Sequence, residues 1–455
     1  MSIESPLTSQ PLDNTKPIDE YESSIYIKIP HKMYEELLEK NSIIKIDMIL
    51  YYIDGTRISG DKVQYKKECK KSCILKFFKN LQVVQFLPMT RKYSQEYTVM
   101  MPQDISKIET VIVRHIIYYA SNNENKCSLR ISLERCFGNE GGHYSLHGEV
   151  EYSRNLYKKY TALNKMENVL LEKLRKIAGE ELAKLDTTNR FTVPTQQTLF
   201  RVPSRVFSNF TESELFSRKG KECLLYKFDG HKGKITDIGN NTILYFDDLN
   251  KPQCTQSPLL SFASRIIFQI EVMQPSTVIL VDVLGGYIAN QLYMPEPMDV
   301  IDFFEFLNTK KLMKPNSHMY LPAQGCVNVF TQYKITEKSN TSYKYDGYIV
   351  INDYNIFKFK MPTIDVVLVE GYLQLQDQIE AISSEKYENL EEGKIYEIEI
   401  KKCSSLLPNE MSFIILRRRK DRVYASTKEQ FQVFLKNIKY FRKNFQASVL
   451  DSTLS

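Results

Sequence analysis

Between residues 18 and 153 the chain spells one strand-like run after another: "SSIYIKIP", "SIIKIDMILYYIDG", "CILKFFKNLQVVQFLP", "ETVIVRHIIYYA", "CSLRISLERCF" and "YSLHGEVEYS". Runs rich in β-branched and aromatic residues, separated by Gly, Asn and Pro, form strands. This succession constrains the fold more than any other feature, and it predicts an antiparallel, β-rich domain. One helix comes next in "RNLYKKYTALNKMENVLLEKLRKIAGEELAKL", apolar at three-and-four spacing, with Gly179 near its end. "DTTNRFTVPTQQTLFRVPSRV" reads as a linker. Short strands and turns then fill residues 195–362. After "FKFKMPTIDVVL" come the strands "GKIYEIEI" and "MSFIILRRRKDRVYAS", then a terminal helix, "TKEQFQVFLKNIKYFRKNF". The expected class is α+β, with a disordered tail at 1–17 and domains at 18–190, 195–362 and 363–445.

A chain of 455 residues has room for two or three cores of this kind. Its 42% hydrophobic and 25% charged content is that of a globular protein. A net charge of +6 excludes a polycation but suits local basic sites for polyphosphate or nucleic acid. The cysteines lack zinc spacing, with Cys69 and Cys73 the one close pair, so free thiols in a reducing compartment are expected. The polar start "MSIESPLTSQPLDNTKP" is neither signal nor anchor. The most apolar run, "STVILVDVLGGYIA", is too short to span a bilayer and carries Asp282. A soluble intracellular protein without a membrane partner is expected.

"KFDG" at 227–230 and "KYDG" at 344–347 repeat one short motif, which alone is weak. The order of the motifs downstream decides between them. Lys227, Asp229 and Gly230 are succeeded by "ILVDVLGGY" with Asp282, then by "YKYDGYIV" with Asp346 and Gly347. "FKFKMPTIDVVL" then supplies Lys358, Lys360, Thr363, Asp365 and Leu368, and "ILRRRKDRVYAS" supplies Arg419, Asp421 and Arg422. This ordered series resembles that of the covalent nucleotidyltransferases, the mRNA guanylyltransferases and ATP-dependent ligases. The resemblance implies that Lys227 is the nucleophile, since Lys344 leaves no room for the strands between. It implies GTP contacts from Asp229, Gly230, Lys232, Asp282, Asp346, Gly347, Lys358, Lys360, Arg419, Asp421 and Arg422. An amine attacks phosphorus only when neutral, and its ordinary pKa is about 10.4. Burial and the like charges of Lys232, Lys358 and Lys360 would lower it. Asp282 and Asp346 would bind Mg²⁺ or orient ribose and lysine. Arg419, with Lys420 or Arg422, would align the departing phosphates as the last domain closes. Three positions depart from the pattern: Lys232 and Arg422 exchange the usual basic residues, and the acidic strand lacks Asp-Gly-Glu.

In the first domain, Glu20 and Glu22 lie two apart in "IDEYESSIYIKI", as do Glu149 and Glu151 in "LHGEVEYS". Residues two apart share one face of a strand, so two such pairs can form an oxygen-rich cage for Mn²⁺ or Mg²⁺. Solvent-facing alternation explains each pair equally well when taken alone. Arg57, Arg114 and Arg130, with Glu134, sit on apolar strands and suggest a charged interior. The pattern resembles the metal-dependent RNA 5′-triphosphatases, whose β-barrel is a tunnel around the triphosphate. That implies a metal cage of Glu20, Glu22, Glu149 and Glu151, phosphate contacts from Arg114 and Arg130, and Glu134 orienting water. Where the second pair usually continues with a third glutamate, Ser153 stands here.

A triphosphatase barrel and a guanylyltransferase in one chain resemble the late expression factor 4 family, the capping subunits of baculovirus and nudivirus RNA polymerases. That resemblance implies a triphosphate-tunnel barrel at 18–190, a guanylyltransferase domain with mixed sheets at 195–362 and an OB-fold domain at 363–445. It implies 5′-triphosphate RNA and GTP as substrates, viral polymerase subunits as partners, and action in the host nucleus. Two rival readings stay open: an ATP-dependent polynucleotide ligase, and a non-catalytic RNA-binding polymerase subunit.

Overall fold

Alternation along the first strand, β1 (Ile18–Ile29), turns Tyr21, Ser23, Ile25, Ile27 and Ile29 to a buried face and Glu20, Glu22 and Ser24 to the other. Seven further strands behave in the same two-faced way: β2 (Lys45–Tyr52), β3 (Thr56–Ser59), β4 (Lys62–Asn80), β5 (Val83–Thr98), β6 (Ile108–Asn122), β7 (Cys127–Gly138) and β8 (His143–Tyr152). They close into an antiparallel barrel in the order β1-β5-β4-β3-β2-β6-β7-β8. Closure leaves no free edge, so every strand can be long. In this computed structural model the described residues run from 16 to 436, with breaks at 81–82, 103, 123–126, 139–140, 207, 210–222, 248–250, 274–275, 310–316, 322–324, 333–344, 352–355, 361–362, 379–380, 384 and 404–410. The expected tail therefore lies almost wholly outside the described residues.

The barrel keeps its apolar core on the outside. Tyr21, Ile25, Ile27, Leu129, Ile131, Leu146 and Val150 pack against Leu163, Leu170, Leu174, Ala178 and Leu182 of one long helix. This is α3 (Tyr160–Leu182), preceded by α2 (Arg154–Tyr157), a single turn capped by Ser153, whose Oγ accepts from the Leu156 amide at 3.4 Å. Gly148 sits under this helix: a Cβ there would come within 2.9 Å of Leu170 Cδ1. A helix not expected from the sequence, α1 (His31–Lys40), joins β1 to β2 and adds Met33, Tyr34 and Leu37 to the same core. Its three-and-four spacing is real but only ten residues long, and strand signals on both sides mask it.

The described residues within 1–206, 230–333 and 351–355 make one compact unit, and those within 207–229, 334–350 and 356–455 a second. Beside the barrel, the first unit contains a mixed sheet ordered Gln253–Gln256, Thr242–Asp247, His231–Asp237, Ile267–Met273, Thr277–Ile288, Gly325–Thr331, Ser317–Leu321, with Gln291–Tyr293 paired to Thr277–Ile288. The far ends of β4 and β5 belong to this sheet's core, where Phe77 stacks on Phe303 of the helix Pro297–Thr309 at 4.5 Å. A buried ion cluster borders that seam. Lys76 Nζ, 1% exposed, lies 3.3 Å from Glu167, 2.9 Å from Glu296 and 3.1 Å from Asp299. Arg91 bonds Glu167 at 2.6 Å and Glu296 at 2.8 Å. Pairing of this density offsets the desolvation of the charges.

In the second unit, Cys223–Phe228, Tyr345–Ile351, Ile356–Lys360 and Ser208–Asn209 lie side by side in one sheet. A separate antiparallel sheet is ordered Tyr372–Gln374, Ile364–Val369, Ile395–Cys403, Met411–Arg418, with a helix at 428–436 that supplies Phe431, Phe434 and Leu435 to its core. Among the described residues no helix is long and apolar enough to cross a membrane.

Candidate active sites

The inner face of the barrel encloses a cavity of about 430 Å³. Glu20, Glu22, Asp47, Glu68, Glu149 and Glu151 line it together with Arg57, Lys66, Lys92, Arg114, Arg130 and His147. Strand register explains why the glutamates meet. β1 and β8 run antiparallel with Glu22 opposite Glu151 and Ser24 opposite Glu149, and directly opposed residues point the same way. Carboxylate oxygens of Glu20, Glu22 and Glu149 come within 4.8 Å of one another, and Glu151 lies alongside, accepting from Ser128 Oγ at 3.0 Å. Ser153 falls outside the strand altogether, as the cap of α2.

Cations are interleaved with this cage. Lys66 contacts Glu20 and lies 3.0 Å from Glu22, which Lys92 approaches at 3.5 Å. Arg130 donates to Glu149 at 2.5 Å, and Arg57 to Glu96 at 2.8 Å. The Nε groups of Arg57 and Arg130 are buried without a hydrogen-bond partner among the described residues. Burial pushes the Glu20 carboxyl up to about 7, with Glu22 and Glu96 adding to the rise against Lys66. Burial also opposes ionisation of Glu149, yet Arg130, His147, Arg114 and Lys66 hold its carboxyl down at about 2. Three converging carboxylates, an all-oxygen donor set, fit a hard divalent cation. Buried guanidinium donors still lacking acceptors fit phosphate oxygens. Glu134 does not line the cavity. It lies behind it, accepting from Arg114 Nε at 2.6 Å and meeting His147 Nδ1 at 3.0 Å.

Sequence reasoning missed His147, Lys66 and Lys92. His147 could have been found, because it precedes Glu149 by two on β8 and so shares its face. The lysines carried no such signal.

The second constellation centres on Lys227. It is the penultimate residue of the strand Cys223–Phe228, on the side of buried Cys223 and Leu225, and is itself half-buried. The opposite side packs aromatics, with Tyr226 4.8 Å from Tyr345. The neighbouring strand carries Asp346 and Gly347, and the next carries Lys358 and Lys360. Three of the ordered motifs thus occupy three adjacent strands. Lys358 is exposed, whereas the side chains of Asp346 and Lys360 lie outside the described residues. In the C-terminal sheet, Arg419 bonds Asp421 at 2.9 and 2.8 Å and Asp365 at 3.1 Å, with Arg422 3.5 Å from Asp365. Arg419 holds the Asp421 carboxyl far below the usual range, whereas burial raises that of Asp365.

Gly230, Lys232 and Asp282 belong to the first unit. Gly230 presses on the backbone, where a Cβ would meet Val272 O at 2.7 Å, and Lys232 is exposed opposite Glu271. Asp282 is held by Arg205, whose Nε and Nη2 donate to its two oxygens at 2.8 and 3.1 Å. Arg205, 77 residues away, went unnoticed in the sequence.

The chain thus carries a barrel around a carboxylate cage and, in its other compact unit, a lysine-bearing sheet. The sequence model of the family described as Late expression factor 4 (LEF-4) matches residues 145–426, and the chain belongs to that family. No curated protein matches the chain. Among solved structures it is similar to the S. pombe Pct1 RNA triphosphatase, at 12% identity and a TM-score of 0.22, covering 37% of this chain and 85% of that one. It is similar too to Pct1 in complex with the Spt5 CTD, at 12% identity and a TM-score of 0.22, covering 37% and 86%.

Proposed function

We propose that the chain caps RNA in two steps: it removes the γ-phosphate from a 5′-triphosphate end, then transfers GMP from GTP to the resulting diphosphate. In this reading residues 18–190 are the triphosphatase, 195–362 the guanylyltransferase core and 363–445 an OB-fold domain. The observation that carries it is the convergence of Glu20, Glu22 and Glu149 inside the barrel. Those three, with Glu151 beside them, would hold Mn²⁺ or Mg²⁺, which when bound supplies charge neutralisation to phosphate oxygens. Arg57, Arg130, Lys66 and Lys92 grip the remaining phosphate oxygens, and Glu134 keeps Arg114 and His147 in place.

In the second step the Lys227 amine attacks the α-phosphorus of GTP. The N–P bond forms as the bond to pyrophosphate breaks, leaving a lysyl-GMP phosphoramide. The β-phosphate oxygen of the RNA end then attacks that phosphorus and frees the lysine. Splitting the transfer lets one site handle two large substrates in turn. Lys358 and Lys360 neutralise the α-phosphate, Asp346 orients ribose, and Arg419 with Arg422 exchanges its carboxylate partners for the leaving pyrophosphate. In the same reading its partners are subunits of a viral RNA polymerase and its place of action is the host nucleus.

The test is phosphate release from γ-labelled triphosphate RNA with Mn²⁺ or Mg²⁺. Glu149→Ala is expected to abolish release while leaving GMP attachment intact. Loss of both activities together would contradict the assignment of two sites.

A further inference from the structure

Along β6 the register against β7 is interrupted: Ile116 pairs with Ser132 and Tyr118 with Ile131, so Ile117 is an extra residue. A single-residue bulge reverses which side chains face the bore. Before it, Arg114 faces inward opposite Glu134; after it, Tyr119 does so opposite Arg130. Arg130 is opposite Glu149, and Glu149 opposite Ser24, so Tyr119 stands in a cross-strand row that carries the cage. Tyr118 is turned outward, where the ammonium of Lys173 on α3 lies 4.8 Å from its ring. Without the bulge, the two tyrosines would exchange faces.

Tyr119 is 53% exposed despite facing the bore, because it stands at the rim. Ile18, 62% exposed, lines the same mouth, together with Lys62 and Gln64. The mouth encloses about 800 Å³ and shares Glu20, Arg57, Ser59 and Glu151 with the cavity behind it. One passage therefore leads from an opening with an exposed aromatic ring to the carboxylate cage, and the opening is of a size that takes a nucleoside. An exposed apolar ring at a barrel rim does nothing for the core, which lies on the opposite face.

We propose that this mouth is the subsite for the 5′-terminal nucleoside of the RNA. Tyr119 stacks on the first base while the triphosphate points inward to the cage, and Lys62 meets the phosphate backbone beyond it. Every base has a π-face, so such a subsite recognises an RNA end without reading its sequence. This inference rests on the triphosphatase reading.

The test compares a triphosphate-ended RNA oligonucleotide with inorganic tripolyphosphate, which has no nucleoside. Steady-state phosphate release is measured for wild type, Tyr119→Ala and Tyr119→Phe. Tyr119→Ala is expected to raise KM for the RNA about tenfold with kcat little changed, and Tyr119→Phe, which keeps the ring, to restore it. The KM for tripolyphosphate should stay within about twofold in both variants. An unchanged KM for RNA, or equal loss on both substrates, overturns the subsite. Wild-type protein that cleaves neither substrate would instead remove the triphosphatase reading, and this inference with it.

Discussion

Glu134 is 2% exposed, and burial alone would raise its pKa; His147 and Arg114 outweigh that and hold the carboxyl down at about 2. Because the folded value lies below the ordinary 4.5, this group stabilises the protein above that pH. Its contribution is lost as pH falls from about 4.5 towards 2. Glu134→Gln is therefore expected to be less stable than wild type near neutrality, by on the order of 2 kcal/mol. The gap between their urea midpoints should close as the pH is lowered through that window. A gap that stays constant with pH would show that the charge of Glu134 contributes nothing and that only its hydrogen-bonded shape matters.

At the scale of elements, the barrel works because its strands are two-faced and one helix covers the apolar face. Gly148 marks where α3 seats, between Glu149 and His147 on the inner face and Leu170 and Leu174 outside. Gly148→Ala forces the leucine methyls aside, and overpacking of this kind costs about 1–3 kcal/mol. The expected result is a lower urea midpoint; an unchanged midpoint would mean that α3 does not pack closely there. This element was legible in the sequence. Period-two alternation gave the strands and placed Glu20 with Glu22, and Glu149 with Glu151, on shared faces. It could not show that Lys66 would reach Glu22 across 44 residues, that Glu167 would clasp Arg91 across 76, or that Arg205 would occupy Asp282. Those contacts depend on which strands become neighbours, and local periodicity carries no record of that. The bulge at Ile117 is hidden for a related reason: one inserted residue is visible only against its partner strand.

At the scale of the molecule, β4 and β5 run beyond the barrel into the core of the second sheet, and the buried cluster of Lys76, Arg91, Glu167, Glu296 and Asp299 ties that seam. Glu167 also accepts from Ser23 at 2.8 Å, and Ser23 stands opposite Arg91 in the register of β1 and β5. The same carboxylate thus braces, from outside, the two strands that carry Glu22 and Lys92 inside. The lysine-bearing sheet belongs to the other compact unit.

The proposed GMP transfer hangs on Lys227, and covalent labelling interrogates it most directly. Protein is incubated with Mg²⁺ and α-labelled GTP, and the denatured chain is assayed for an acid-labile, alkali-stable adduct. A nucleophilic lysine predicts label from GTP and not from ATP, kept in Glu149→Ala and lost in Lys227→Ala. Label that survives Lys227→Ala, or wild-type protein that takes up none, would contradict the capping mechanism at its centre.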